Sequence, residues 1–192
     1  MNTGSENIQF ECTKCGACCR NDSLLVTLTG RDVVRISMGL NLDRDEVIRA
    51  FNFYLVSNRG PPKGLRDIPS INTERGRAYI ALKKLENGDC VFLKDDLCMI
   101  HLIRPMVCMS FPFVFREVEG QQKWGLSALR EICPGLGTGP FVEKDDLIEL
   151  AVAILEDIAS YREFADEWNS ETKNPTAKGL IEAILSDPRF SV

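Results

Sequence analysis

The sequence predicts an irregular α+β fold: a metal-stapled core of short strands, turns and short helices, followed by C-terminal amphipathic helices. Three observations predict it. All eight cysteines of the 192-residue chain lie before residue 134. Up to residue 142 the apolar runs are short and broken by Gly and Pro. From Glu143 onward the apolar period becomes helical. Residues 1–142 therefore read as a cysteine-cluster metal-binding domain, and 143–192 as a helical segment packed on it, the two forming one structural unit.

Taken in order, Leu24 to Leu28 reads as a short strand. Thr29 with Asp32, and Asp43 with Glu46, each have the spacing of a capping box; they predict one helix ending near Gly39 and a second running to about Phe53. Asn58 to Ser70 holds two Gly and three Pro and reads as a surface loop. Ala78 to Leu82 is an expected strand, and Gly88 to Leu93 another, running into a tight turn at Lys94-Asp95-Asp96 that brings Cys90 and Cys98 together. Met99 to Ile103 is expected as one helical turn stopped before Pro105, with a further turn carrying Cys108. Phe113 to Val118 and Lys123 to Ser127 form an expected hairpin, and Gly135 to Pro140 (GLGTGP) reads as a flexible connection. Leu147, Leu150, Ile154, Ile158, Tyr161, Ala165 and Trp168 mark one face of a long helix. A shorter one starts at Asn174-Pro175 and carries Leu180, Ile181, Ile184 and Leu185.

Charge narrows the partners. The net charge is −5, with the acid concentrated on the C-terminal helices, where it reads as a solvated face. No dense Lys/Arg stripe is present, so no nucleic-acid partner is expected; the sequence leaves room for a protein partner of unspecified identity. No apolar run approaches the ~18 residues of a membrane span, and MNTGSENIQF does not resemble an export signal, so we expect a cytoplasmic, thiol-reducing setting and no membrane association.

The chemistry concentrates in ECTKCGACCR. Cys12, Cys15, Cys18 and Cys19 fall within eight positions, and two-residue gaps let successive sulfurs converge on one metal or cluster. Adjacent side chains of an extended or turn backbone diverge, which suggests sharing the vicinal pair between two ligand sets. One partition is Cys12, Cys15, Cys18 and Cys133 at one centre, with Cys19, Cys90, Cys98 and Cys108 at another. The alternative is a single cluster using four of the eight. Thiolate-only ligation suits zinc and iron-sulfur clusters alike. A CxxCxxC run completed by a distant Cys-Pro leans toward a 4Fe-4S cluster. The spacing is not CxxxCxxC, so radical-SAM chemistry is not expected.

CxxCxxCC, then GDCVFL, then CMIHLIRPMVCMSFPF, then a late Cys-Pro resembles the YkgJ-type cysteine-cluster family, described as zinc- or iron-chelating proteins. The resemblance spans about Phe10 to Gly135. It implies that Cys12, Cys15, Cys18, Cys19, Cys90, Cys98, Cys108 and Cys133 are metal ligands. Arg104-Pro105 and Phe111-Pro112 match family positions of unassigned chemistry, and His101 stands where the family often has an aromatic residue.

Other conspicuous residues have plainer readings. His101 is expected to be turn-exposed or hydrogen-bonded and Arg20 to lie at the surface, while Arg104 is placed equally well at the surface or beside a metal-thiolate centre. Phe111, Phe113 and Phe115 read as core, as do Met99, Met106 and Met109. The first functional expectation is a cytoplasmic protein coordinating iron-sulfur and/or zinc, in one or two centres, with an electron-transfer or redox role. Its rivals are a SAM-dependent protein lysine methylase-like enzyme or other oxidoreductase, and a structural zinc module for protein interaction or metal handling.

Overall fold

The computed structural model describes residues 8–22, 24–56, 68–119 and 121–191. Its elements in chain order are β1 (Gln9–Phe10), α1 (Ala17–Arg20), α2 (Gly30–Leu40), α3 (Arg44–Ala50), β2 (Phe51–Leu55), β3 (Ile71–Thr73), β4 (Gly76–Leu82), β5 (Leu93–Lys94), β6 (Leu97–Cys98), α4 (Met106–Ser110), β7 (Phe113–Val118), β8 (Gln121–Leu126), β9 (Leu136–Phe141), α5 (Lys144–Glu171) and α6 (Ala177–Ser186), with a closing 3-10 turn at Pro188–Phe190. This is the α+β architecture the sequence predicts.

Both capping boxes form. Thr29 and Asp32 exchange side-chain-to-backbone bonds at the start of α2, and Asp43 and Glu46 do so for α3. The second helix ends earlier than expected, at Ala50, because Phe51 to Leu55 extends and pairs antiparallel with β4. Val47 and Phe51 satisfy a helical spacing, but Phe51 also alternates with Phe53, and pairing with the buried strand β4 decides between the two periods. The resulting sheet has the order β2-β4-β3. The strand expected at Leu24 to Leu28 is reduced to a bridge, Thr27 opposite Ala81, flanked by Leu28 N–H donating to Ile80 O (2.9 Å) and Leu82 N–H donating to Val26 O (2.9 Å).

The remaining strands are three two-stranded ribbons, β1-β9, β5-β6 and β7-β8. In β5-β6 the two-residue loop Asp95-Asp96 has φ of 47° and 66°, the left-handed conformation that a tight hairpin requires and that Asp tolerates. The expected hairpin at β7-β8 is present in continuous register from Phe113 opposite Leu126 to Val118 opposite Gln121. The GLGTGP segment differs from expectation. It is no loose connection but contains β9, paired with β1, and its first glycine explains why: a Cβ on Gly135 would lie 2.2 Å from the Glu11 carbonyl oxygen. Of the expected loop at Asn58 to Ser70, residues 58–67 lie outside the described residues.

One apolar core joins the two halves. Leu28, Val33, Ile36, Ile71, Ile80 and Leu82 pack in the same cluster as Leu147, Ile154, Tyr161, Phe164, Leu180, Ile181, Ile184 and Phe190. A small second cluster of Ala128, Cys133 and Leu136 lies under Phe10, Phe111 and Ile132. Among the described residues no helix is long and apolar enough to cross a membrane.

Candidate metal centre

The first cysteine motif folds as a loop followed by a single helical turn. Gly16 caps α1 with φ +70°, a left-handed conformation that glycine adopts without strain, so the chain reverses between Cys15 and Cys18. Arg20 then ties the loop down. Its Nη1 donates to Cys15 O (2.9 Å) and its Nη2 pairs with Asp96 in the β5-β6 turn. The C-terminal carbonyls of α1 are held by a cation and by the isolated bridge residue Cys90, where the expected strand from Gly88 is reduced to a bridge to Lys84: Lys84 Nζ donates to Cys19 O (3.1 Å) and Asn21 O (3.0 Å), and Cys90 N–H donates to Cys19 O (2.8 Å). On the far side, Arg130 spans the loop that carries Cys133, donating from Nε to Leu136 O (2.7 Å) and from Nη2 to Gly137 O (3.1 Å).

These staples gather the thiols. Cys12, Cys15, Cys18, Cys19, Cys98, Cys108 and Cys133 line one open cavity together with Lys14, His101, Arg104, Phe10 and Phe111. Cys90 is buried beside it, close enough to interact electrostatically with Cys98 and Cys18. Exposure is graded, with Cys12 and Cys15 at the surface, Cys18, Cys19, Cys98 and Cys108 half-buried, and Cys90 and Cys133 buried.

The vicinal pair does not diverge. Cys18 and Cys19 both line the cavity together with Cys98, close enough to perturb one another's ionisation. The physical reason is α1: successive side chains on a helical turn are about 100° apart rather than opposed, so both sulfurs face the same cavity. Cys18 thereby lies near members of both expected sets, interacting with Cys98, Cys108 and Cys133. Cys98 comes from the expected hairpin, but its cross-strand partner is Leu93, while Cys90 bridges Lys84.

Protonation follows the contacts. Hydrogen bonding from Cys19 lowers Cys98 to about 6 and Cys18 to about 7, while Cys19, held between two ionising neighbours, is driven strongly upward. The three neighbouring sulfurs therefore titrate together, with Cys18 and Cys98 the easier to ionise and Cys19 the harder. Burial raises Cys108, Cys90 and Cys133. His101 is lowered by burial and then by Arg104 and Lys14, and its Nε2 contacts Arg104 Nη1. It is hydrogen-bonded, as expected, and it faces the cavity. Arg104 lies at the centre rather than at the free surface, and its charge helps hold Cys98 ionised.

Sequence reasoning missed four residues that build this site. Asp32 reads locally as a helix cap, yet it is buried and its Oδ1 accepts Met106 N–H (2.9 Å) at the start of the Cys108 helix. Burial, then the neighbouring Asp157 carboxylate, raises Asp32 to about 6. Lys84, Arg130 and the pairing role of Arg20 give no local signal, because their partners are backbone carbonyls or a turn distant in sequence. Two expected core residues are misplaced: Met99 and Met109 are 60% and 40% exposed. The single turns that carry them have room for one inward apolar side chain each, and Ile100 takes the position beside Met99.

No cysteine is in a disulfide, and the cavity lining holds thiols and no carboxylate, which suits zinc or iron in thiolate coordination. Among the described residues no three His, Cys, Asp or Glu side chains are already arranged to hold one ion. Coordination would therefore require side-chain rotation within the cavity.

Fold and site define a class, an α+β protein built around a cluster of cysteines that share one cavity. The chain belongs to the CxxCxxCC family, described as a "putative zinc- or iron-chelating domain", whose model matches residues 11–134, roughly two thirds of the chain. No curated protein and no solved structure matches it.

Proposed function

We propose that this protein binds iron or zinc in a single polythiolate centre and that the occupant is an iron-sulfur cluster with a redox role. The observation that carries the reading is the convergence of seven cysteines on one cavity, with the eighth alongside. One shared site is a more economical account than two separate tetrahedral ones, because Cys18 neighbours thiols of both expected sets. Arg104 and Lys84 supply positive charge against an anionic cluster. A bound cluster would supply one-electron chemistry; the chain's part is to orient thiolates and set the local charge.

A metal-handling zinc protein is the second reading, favoured by the exposure of Cys12 and Cys15 at the rim, where a thiol-bound ion can be exchanged. One measurement separates the two: iron, zinc and acid-labile sulfide content with a visible spectrum, on protein purified without oxygen or a metal-affinity tag. Iron with matching sulfide and a brown chromophore is expected. Colourless protein with zinc at stoichiometry would replace the first reading by the second, and metal-free protein that takes up neither ion would remove both.

A further inference from the structure

Helix α4 carries Cys108 but has no cap of its own. Its N-cap residue is Pro105, which offers no side-chain acceptor for the first amides. The acceptor arrives from α2, as Asp32 Oδ1 against Met106 N–H at 2.9 Å. The same carboxylate pairs with Arg35, whose Nη2 donates to Arg104 O at 3.2 Å. One buried ion pair thus grips the chain on both sides of Pro105. Downstream of the grip is the Cys108 sulfur; upstream are Arg104 and His101, and all three face the thiol cavity.

From this geometry we infer that Asp32 is a positioning residue of the thiol centre, fixing the direction of α4 and hence the aim of the Cys108 sulfur and the Arg104 guanidinium. The inference rests on the reading of the cavity as a metal centre. A buried carboxylate is costly to desolvate, and an apolar residue at the third position of α2 would pack there without that cost. What the carboxylate adds is a fixed bond to the one segment that holds a ligand candidate and the cationic side chains together. Partners of this kind behind metal ligands typically change affinity about 10- to 100-fold when removed. Thr29 provides the control. Its hydroxyl belongs to the same buried network, accepting Asp32 N–H (3.2 Å) and donating to Asp157 Oδ2 (2.7 Å), and neither of these bonds reaches α4.

The test compares Asp32→Ala, Asp32→Asn and Thr29→Ala in the full chain, using cobalt(II) as a spectroscopic probe and zinc competed against a chromophoric chelator. Asp32→Ala is expected to shift the cobalt d–d bands and weaken zinc about 10- to 100-fold. Asp32→Asn, which keeps an oxygen for Met106 N–H, should remain within tenfold of the parent, and Thr29→Ala should lower the melting temperature with bands and affinity unchanged. Should Asp32→Ala fail to fold, Arg35→Gln releases the Arg104 carbonyl and the ion pair to Asp32 while leaving the Asp32–Met106 bond in place, and should shift the bands in the same direction. Parental bands in both Asp32→Ala and Arg35→Gln would overturn the inference, as would a loss in Thr29→Ala equal to that in Asp32→Ala. A second readout needs no metal: in chelator-treated protein Asp32→Ala should speed iodoacetamide labelling of Cys108 at least tenfold while Cys90 is unchanged. If the parent binds neither cobalt nor zinc, the metal reading fails, and labelling of Cys108 alone decides the role of Asp32.

Discussion

The helical half and the cysteine half of this molecule are held together by different forces. Around α5 and α6 the side chains that matter are large and apolar: Tyr161, Phe164 and Phe190 pack with ring centroids 5.2 to 6.3 Å apart, and Leu180, Ile181 and Ile184 are fully buried. Around the thiols the ordering contacts are long polar side chains reaching backbone carbonyls: Arg20 to Cys15, Lys84 to Cys19, Arg130 to Leu136 and Arg35 to Arg104. Apolar burial is non-directional and tolerates adjustment, whereas a guanidinium on a carbonyl fixes a loop in one place. The division teaches where stability and where precision reside: the apolar core that α5 and α6 share with the earlier strands and helices supplies the burial, and the polar staples aim the sulfurs.

The largest effect belongs to the apolar side. Ile181→Ala should cost about 2–5 kcal/mol of unfolding free energy in urea titration, with the thiol cavity's metal affinity unchanged in whatever fraction stays folded. An intermediate effect comes from Gly16→Ala, where a Cβ must take up φ +70° within 3.0 Å of Arg20 Nη1 and the Asp96 carbonyl oxygen. A left-handed alanine costs roughly 1–2 kcal/mol, so the melting temperature should fall modestly while metal affinity falls more than in Ile181→Ala. Equal affinity in the two variants would erase the distinction between the halves.

The smallest effect is a pH dependence located where the halves meet. Asp32 faces Asp157 from α5, Arg35 from its own helix and Cys108 from α4, and burial raises its pKa to about 6. A carboxyl raised by folding binds its proton more tightly in the folded chain, so its contribution lowers stability as pH rises through the window from the ordinary carboxylate range to about 6. Unfolding of chelator-treated protein at pH 5 and pH 7 should accordingly show a steeper loss toward pH 7 in the parent than in Asp32→Asn. Parallel slopes would show that Asp32 titrates alike in both states.

What could be read from the chain follows the same division. Helices α2, α3, α5 and α6 and the β7-β8 hairpin are written locally, in capping boxes, in apolar period and in turn residues, and a local pattern survives folding unchanged. The cysteine list was equally legible, because spacing within ECTKCGACCR is itself the signal. The geometry around it was not. The expected divergence of Cys18 and Cys19 assumed an extended or turn backbone, whereas a four-residue helical turn, too short to announce itself by period, presents both sulfurs to one side. Strand β9 was hidden by glycines that conventionally mark loops but here permit close approach to Glu11. Asp32 was legible as a cap and illegible as the partner of Met106, since nothing in a sequence pattern links positions 32 and 106.

The ribbon β1-β9 joins the two ends of the cysteine segment, bringing Cys12 and Cys133 to one cavity although they lie more than a hundred residues apart along the chain. Closing so large a loop carries a substantial chain-entropy cost, and contacts of such separation form late. During vectorial synthesis the four thiols of the opening motif emerge first and wait, incomplete, until Cys133 and β9 have followed. A thiol-reactive ion or oxidant encountered in that interval meets an open set of sulfurs.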